Sequence, residues 1–362
     1  MNALLRKDIH SITAYVPGKP MTALGGRRER AKIAKLNSNE NALGASTKAQ
    51  QAIKKNLSTI FRYPDGSSVS LKKALAKKLK RSAANMCLGN GSDEIIDIII
   101  KTFLNRGEEI ITAQMTFVEY EIIAQANGYK AITVPLKDFT YNLEAIRRRM
   151  TKKTKIVFIA NPNNPTGSYV SHEELMRFIH RLPAHTLAVV DEAYLEYVDA
   201  PDFPRLLGYI NTKNVIILRT FSKAYGLAGL RIGYAVARKE FIAAMEKIRQ
   251  PFNVNFLAQV AAESVLCDTR FIAATRKETL QEKYNLYRAL QALHVEFIPS
   301  QANFIMFKTP LDAVVLCQKM AERGILVRDL KQYGLDTYVR VTIGRSRENK
   351  LFLDNLKKIL KR

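Results

Sequence analysis

The residues of this sequence that could do chemistry stand at the ends of apolar runs. NVIILRTF leads straight into SKAYGLAGLRIGY, so a strand-like stretch delivers Lys223 to a polar, glycine-containing turn. A lysine among apolar strands loses hydration, and desolvation lowers its pKa toward the range where the free amine is a nucleophile. Ser222 beside it and Arg231 eight positions on suit a phosphate, the arginine as a fork of donors and the serine as a single hydroxyl. An arbitrary Ser-Lys pair would be an ordinary surface loop, and it is these neighbours that argue for function.

LAVVDEAY closes another apolar run with Asp191. A carboxylate there can keep a pyridine nitrogen protonated and turn the ring into an electron sink, and Tyr194 could donate to a phenolic oxygen on that ring. The string alone fits a helix cap or an ion pair equally well. NPNNPTG after KIVFIA cannot continue a strand and builds a rigid turn, with Asn164 available to the same phenolic oxygen. LGNGSDEIIDIII reads as a glycine turn opening a helix, with Ser92 or Asp93 at the cap. Free amides at a helix start bind phosphate, although an ordinary N-cap looks the same.

The elements that must position these groups follow from periodicity. Between about Lys35 and Asp268, the runs EEIITA, KAITVPL, KIVFIAN, TLAVVDEAY, NVIILRTF and RIGYAVA alternate with helix-period stretches. That alternation predicts an α/β fold with a mostly parallel sheet covered by helices on both faces, and such sheets hold ligands at the carboxyl ends of their strands. After QPFNVN, a long helix is expected from about Asp268 to Leu293. HVEFIPS, ANFIMFK, a helix near Leu311 to Arg323, ILVRDL, YVRVTIG and a final amphipathic helix then read as a compact α+β unit. The expected division is an N-terminal arm (1–30) over the active site, a large domain (31–267) and a small C-terminal domain (268–362).

Composition narrows the function classes. The sequence has 362 residues, nearly half of them apolar, and no repeat or low-complexity tract, as suits a folded enzyme-sized chain. The N-terminus lacks the apolar core of a signal peptide and no stretch is long and apolar enough to span a membrane, so a cytoplasmic location is expected. Three cysteines, far apart, read as reduced thiols, and none of the five histidines stands in a metal-binding pattern, so no metal is implied. The formal charge of +24 is spread over scattered basic pairs without a recognition motif, which argues for a solvated basic surface rather than a specific nucleic-acid partner. Such a field could still attract anionic substrates.

As a set and in their order, YVPGKP, KLNSNENALG, RYPDG, LGNGSDE, NPNNPTG, DEAYLEY, TFSKAYGLAGLRIGY, QPFNVN, ANFI, VRDL and YVRVTIG resemble the fold type I pyridoxal-phosphate aminotransferases, in the branch containing histidinol-phosphate aminotransferase. The resemblance covers nearly the whole chain. It implies pyridoxal 5′-phosphate held on Lys223, with Asp191 at the pyridinium nitrogen and Asn164 and Tyr194 at the phenolic oxygen. Lys223, Asp191 and Tyr194 form the implied catalytic set. Gly91, Ser92, Asp93, Ser222 and Arg231 match the phosphate cup, joined by Tyr63 from the neighbouring subunit of a homodimer, and Phe117 falls where a ring stacks on the cofactor. Arg340 would grip a substrate α-carboxylate, Tyr15 and Arg328 would reach a distal phosphate or side chain, and Asn39 belongs to the substrate set.

The implied reaction is transamination of L-histidinol phosphate with 2-oxoglutarate, giving imidazole acetol phosphate and glutamate. Two readings share the cofactor residues: an aromatic amino-acid aminotransferase of the same branch, and a pyridoxal-phosphate lyase such as a decarboxylase of a phosphorylated amino acid. A basic scaffold without turnover would leave the Lys223, Asp191 and Arg231 set unexplained.

Overall fold

The structure, a computed structural model, describes residues 4–6, 9–15, 17–18 and 33–360. Most of the arm expected at residues 1–30 therefore lies outside the described residues.

Among the described residues, thirteen strands form three sheets. They are β1 (Ala34–Lys35), β2 (Met86–Gly89), β3 (Glu109–Ala113), β4 (Lys130–Val134), β5 (Thr154–Ala160), β6 (Leu187–Asp191), β7 (Val215–Thr220), β8 (Gly233–Val236), β9 (Phe297–Ile298), β10 (Phe304–Lys308), β11 (Ile325–Leu326), β12 (Arg328–Leu330) and β13 (Leu335–Thr342). The large sheet has the order β2-β8-β7-β6-β5-β3-β4. Pairs β7/β6, β6/β5, β5/β3 and β3/β4 are parallel, whereas β8 runs antiparallel to both β7 and β2. The expected parallel sheet is therefore present with one reversed strand.

That reversal serves the site. Because β8 is antiparallel to both neighbours, β2 points the same way as β7, and the carboxyl end of β2 meets the start of β8 at the edge where β3, β5, β6 and β7 also end. Gly233, the first residue of β8, pairs with Gly89 on one side and Thr220 on the other. A side chain there would put a Cβ 2.8 Å from the Ser92 amide nitrogen, so this glycine is what lets the helix start lie against the strand.

The central strands are buried along their whole length in β3 and β6 and nearly so in β5 and β7, which is why they read as continuous Ile/Val/Leu runs rather than alternating ones. The helix Gly91–Phe103 buries Ile95, Ile96, Ile98, Ile99 and Ile100 in the same core. Its cap is Asn90, one residue ahead of Gly91; the Asn90 side chain makes no capping bond, while the Asn90 backbone amide donates to Glu94 at 2.6 Å. The cap expected at Ser92 or Asp93 is thus corrected: both lie inside the first turn, because the positive φ of Gly91 already turns the chain into the helix.

The long helix Thr269–Ala292 begins where its sequence pattern predicts, with the Asp268 carboxylate accepting from the Phe271 amide at 3.4 Å and from the Ser46 hydroxyl at 2.5 Å. Beyond it lies the antiparallel sheet β12-β13-β10-β9, packed with the helices Ala313–Ala321 and Ser346–Leu360 around a second core. Ala34 and Leu36 belong to that second core, and β1 pairs in parallel with β11. The segment carrying Asn37 and Asn39 is thereby anchored on the C-terminal unit while it runs beside the large sheet.

Several basic pairs now have a local reason. Lys54 and Lys55, Lys77 and Lys78, and Arg147 to Arg149 fall in the last turns of their helices, where cations offset the exposed carbonyl ends. No described helix is long and apolar enough to cross a membrane.

Candidate active site

A cavity of about 270 Å³ opens at the carboxyl edge of the large sheet. Of the residues singled out from sequence, all but Gly91 and Tyr63 line it. Lys223 enters from the turn after β7, Asp191 and Tyr194 from the end of β6, Asn164 from the turn after β5, and Phe117 from the segment after β3. Ser92 and Asp93 come from the first turn of the Gly91–Phe103 helix, Arg231 from the residue before Ile232 and β8, and Arg328 and Arg340 from β12 and β13. Asn39 and Tyr15 close the remaining side.

The Lys223 amine points into this space with its Nζ 5.7 Å from the centre of the Tyr194 ring. Burial, helped by the positive charge of Arg340, lowers its pKa to about 8. About a tenth of the amine is therefore unprotonated at pH 7, far more than for an ordinary lysine, as a nucleophile or base requires.

Asp191 is almost wholly buried. Its Oδ1 accepts from the Ala193 amide at 3.0 Å and its Oδ2 from the Tyr120 hydroxyl at 2.8 Å. Burial nevertheless pushes its pKa up to about 6, because two hydrogen bonds do not replace the lost hydration. A cation brought against this carboxylate would recover that cost.

At the other wall, Asn39 holds a left-handed backbone conformation (φ 55°) and its side-chain amide donates to the Tyr194 hydroxyl at 3.1 Å. Its backbone amide donates to the Thr342 hydroxyl at 2.9 Å, which fixes the segment against β13 beside Arg340. Arg340 donates to the Asn164 side-chain oxygen and, at 3.1 Å, to the Asn37 carbonyl. Its buried Nε has no acceptor among the described residues, and a buried guanidinium N–H left so calls for an anion. Arg328 donates to the Gln332 side chain at 3.0 Å.

The phosphate-like corner is assembled from three elements. Arg231, with φ 52°, donates to Asp93 at 3.0 Å and to the Ala228 carbonyl at 3.2 Å. A Cβ at Gly91 would stand 2.7 Å from Arg231 Nη2, so the guanidinium occupies the room that the glycine leaves. Gly91 thus shapes the corner from behind. Tyr63 lies away from its own chain's cavity, 83% exposed and stacked on Phe252 with ring centres 4.7 Å apart.

Residues 31–356 match the family model for aminotransferase class I and II. The chain belongs to that family. A histidinol-phosphate aminotransferase of Moorella thermoacetica is 43% identical over 357 residues, spanning 98% of this chain and 92% of the relative. The crystal structure of histidinol-phosphate aminotransferase from Sinorhizobium meliloti in complex with pyridoxal-5′-phosphate superposes with a TM-score of 0.89 at 28% identity, covering 99% and 98% of the two chains. The L-threonine-O-3-phosphate decarboxylase of Porphyromonas gingivalis has the same fold, with a TM-score of 0.81 at 27% identity over 91% of this chain and all of that one. The aminotransferase family thus shares its architecture with a lyase, and the fold alone does not separate the two reactions.

Sequence reasoning missed Tyr120, Asn37, Gln332 and Tyr333, which also line the cavity. Tyr120 stands only three residues after Phe117, yet nothing in that spacing points to Asp191, and only the folded sheet brings the two together. Among the described residues no group of His, Cys, Asp and Glu side chains could hold a metal ion.

Proposed function

We propose that the cavity binds pyridoxal 5′-phosphate on Lys223 and transfers the amino group of L-histidinol phosphate to 2-oxoglutarate, a reaction of histidine biosynthesis. The observation that carries the reading is the Lys223 amine in a cavity that also presents the buried Asp191 carboxylate and three arginines. The residues fit the cofactor on this chain's own geometry: a glycine at 91 that leaves room for the Arg231 guanidinium, helix-start amides beside it without a capping side chain from Asn90, and a buried carboxylate lacking a cation.

When bound, the cofactor supplies an aldehyde that amines condense with and a ring that draws electrons from the substrate Cα. Asp191 would hold the proton on the ring nitrogen, and Asn164 and Tyr194 would donate to the phenolic oxygen. Ser92, Ser222, Arg231 and the amides at the helix start would bind the phosphate. Asp93, ion-paired to Arg231, would orient it, and Phe117 would cover the ring face. Lys223, once released by the incoming amine, is placed to take the proton from the substrate Cα as a general base.

The two half-reactions make different demands on the mouth. Histidinol phosphate has no carboxylate, whereas glutamate has two. Arg340, with its unpaired Nε, would serve the α-carboxylate of glutamate, and Arg328 with Tyr15 would receive the phosphate of histidinol phosphate or the distal carboxylate of glutamate. Asn39, bonded to Tyr194, would keep the substrate side of the cavity in shape.

The proposal includes a homodimer with shared sites. Ile60, Phe61 and Tyr63 are 60%, 75% and 83% exposed on one stretch of chain, and Tyr63 stacks on the half-exposed Phe252. An apolar group of this kind suits contact with a second copy, in which Tyr63 would reach the partner's phosphate corner.

The test compares donors at fixed 2-oxoglutarate. A kcat/KM for histidinol phosphate above those for phenylalanine and tyrosine, with one glutamate formed per donor consumed, is expected. Preference for the aromatic acids, or release of carbon dioxide without consumption of the keto acid, would overturn it.

A further inference from the structure

Among the described residues, the Asp191 carboxylate is held by one side-chain donor from outside its own loop. Tyr120, fully buried on the helix Glu119–Ala126, donates its hydroxyl to Oδ2 at 2.8 Å. The ring is fixed from two sides, stacked on Phe158 at 4.8 Å between centres and nearly parallel, and edge-on to Phe117 at 5.6 Å. Phe158 belongs to β5 and Phe117 is the ring expected over the cofactor, so the hydroxyl is placed by the same core that shapes the cavity.

The other ionisable groups near Asp191 cannot do this work. Asp93, from the Gly91–Phe103 helix, and Glu192, its sequence neighbour, are anions that oppose its charge. Glu192 is turned away onto Arg219, which donates to it at 2.7 and 2.9 Å. Tyr141, ahead of the helix Leu143–Arg149, engages Thr116 at 2.6 Å and the Ala160 amide at 3.1 Å. Tyr194 is bonded by Asn39. Lys223, from the turn after β7, faces the cavity near the Tyr194 ring.

We propose that Tyr120 is a positioning residue for the aminotransferase reaction, fixing both the orientation and the charge of Asp191 so that the carboxylate meets a protonated ring nitrogen. The proposal rests on the pyridoxal-phosphate reading of the site. Its physical content is that a hydrogen bond to the charged form of a buried acid favours that form. Deleting the hydroxyl leaves a carboxylate that takes up a proton more readily, and a protonated Asp191 must release it before pairing with a pyridinium.

The experiment uses Tyr120→Phe, which keeps the ring and its stacking, and measures the apparent Kd for pyridoxal 5′-phosphate against pH in variant and wild type. Lys223 titrates in both proteins, so the ratio of the two constants cancels its contribution. The expected ratio, for a one-unit shift in Asp191, is about fivefold near pH 6, rising toward about tenfold near pH 5 and falling toward one near pH 9, where both carboxylates are ionised. Tyr120→His, which returns a donor, should bring the ratio back toward one. Tyr141→Phe removes a buried hydroxyl that does not touch Asp191 and should lower the unfolding temperature without giving a pH-dependent ratio.

A ratio of one at every pH, or a loss of affinity of the same size at every pH, would overturn the proposal, the second by reducing Tyr120 to a packing residue. Wild-type protein that fails to take up the cofactor would instead overturn the function proposed for the site, and the two failures are told apart in the same titration.

Discussion

Arg328 and Arg340 stand directly opposite each other in the antiparallel pair β12 and β13. Cross-strand partners project from the same face, and like charges so placed repel. Both side chains are nearly buried and both line the cavity, so neither is free to swing into bulk water. Two adjacent cations of this kind are a standing cost to the empty protein that an anionic ligand would offset.

That relationship predicts separable losses. Arg340→Gln should raise KM for 2-oxoglutarate and glutamate about tenfold or more, with a smaller effect on histidinol phosphate. Each loss corresponds to one charge-assisted hydrogen-bonded contact. Arg328→Gln should weaken histidinol phosphate by a comparable factor. Steady-state kinetics of the two half-reactions measure this, and equal effects of either substitution on every substrate would contradict it.

Asp191 gives a stability prediction with a definite sign. Its pKa in the folded protein is raised from 3.8 to about 6, so the folded state binds its proton more tightly than the unfolded state does. This group therefore lowers the stability of the cofactor-free protein as pH rises from about 4 through 6, and the cost is fully present above that. Cofactor-free Asp191→Asn should be more stable than wild type at pH 8 by about 1–3 kcal/mol, with the advantage gone near pH 4. Denaturant unfolding at the two pH values checks it, alongside loss of cofactor binding.

The carboxyl ends of β6 and β7 are tied together by a buried ion pair. Arg219 of β7 donates through Nε and Nη2 to Glu192, and both side chains are largely buried. Arg219→Met should destabilise the protein by about 3–5 kcal/mol by leaving Glu192 buried without its cation. Adding Glu192→Leu should recover part of that loss, and an additive double variant would contradict the coupling.

The proposed homodimer with shared sites predicts complementation between subunits. Lys223→Ala and Tyr63→Ala chains, each impaired alone, should regain activity when unfolded together and refolded, since a mixed dimer contains one site with both residues intact. No gain on mixing, or an active monomer by sedimentation, would remove Tyr63 from the neighbouring site.

How much of this was legible beforehand depended on where each signal lies along the chain. Lys223, Asp191 and Asn164 could be read together because each stands at or within a few residues past the end of an apolar run, and in a parallel sheet such ends converge on one edge. The strand β2 was hidden: four residues ending in a glycine carry too little pattern, and without it the antiparallel placement of β8 between two strands could not be foreseen. Tyr120 was invisible for a different reason, since a tyrosine in a short amphipathic helix looks like core until the sheet sets it against Asp191. The pairing of β1 with β11 joins residues 34–35 to 325–326, a contact over a distance in sequence that local periodicity does not encode.

The central claim is tested most directly by reducing the cofactor-loaded enzyme with borohydride and locating the modified residue by peptide mass spectrometry. The account predicts a phosphopyridoxyl group on Lys223 and its disappearance, with at least about a 10²-fold loss of turnover, in Lys223→Ala. Modification of a different lysine, or undiminished turnover without Lys223, would contradict it.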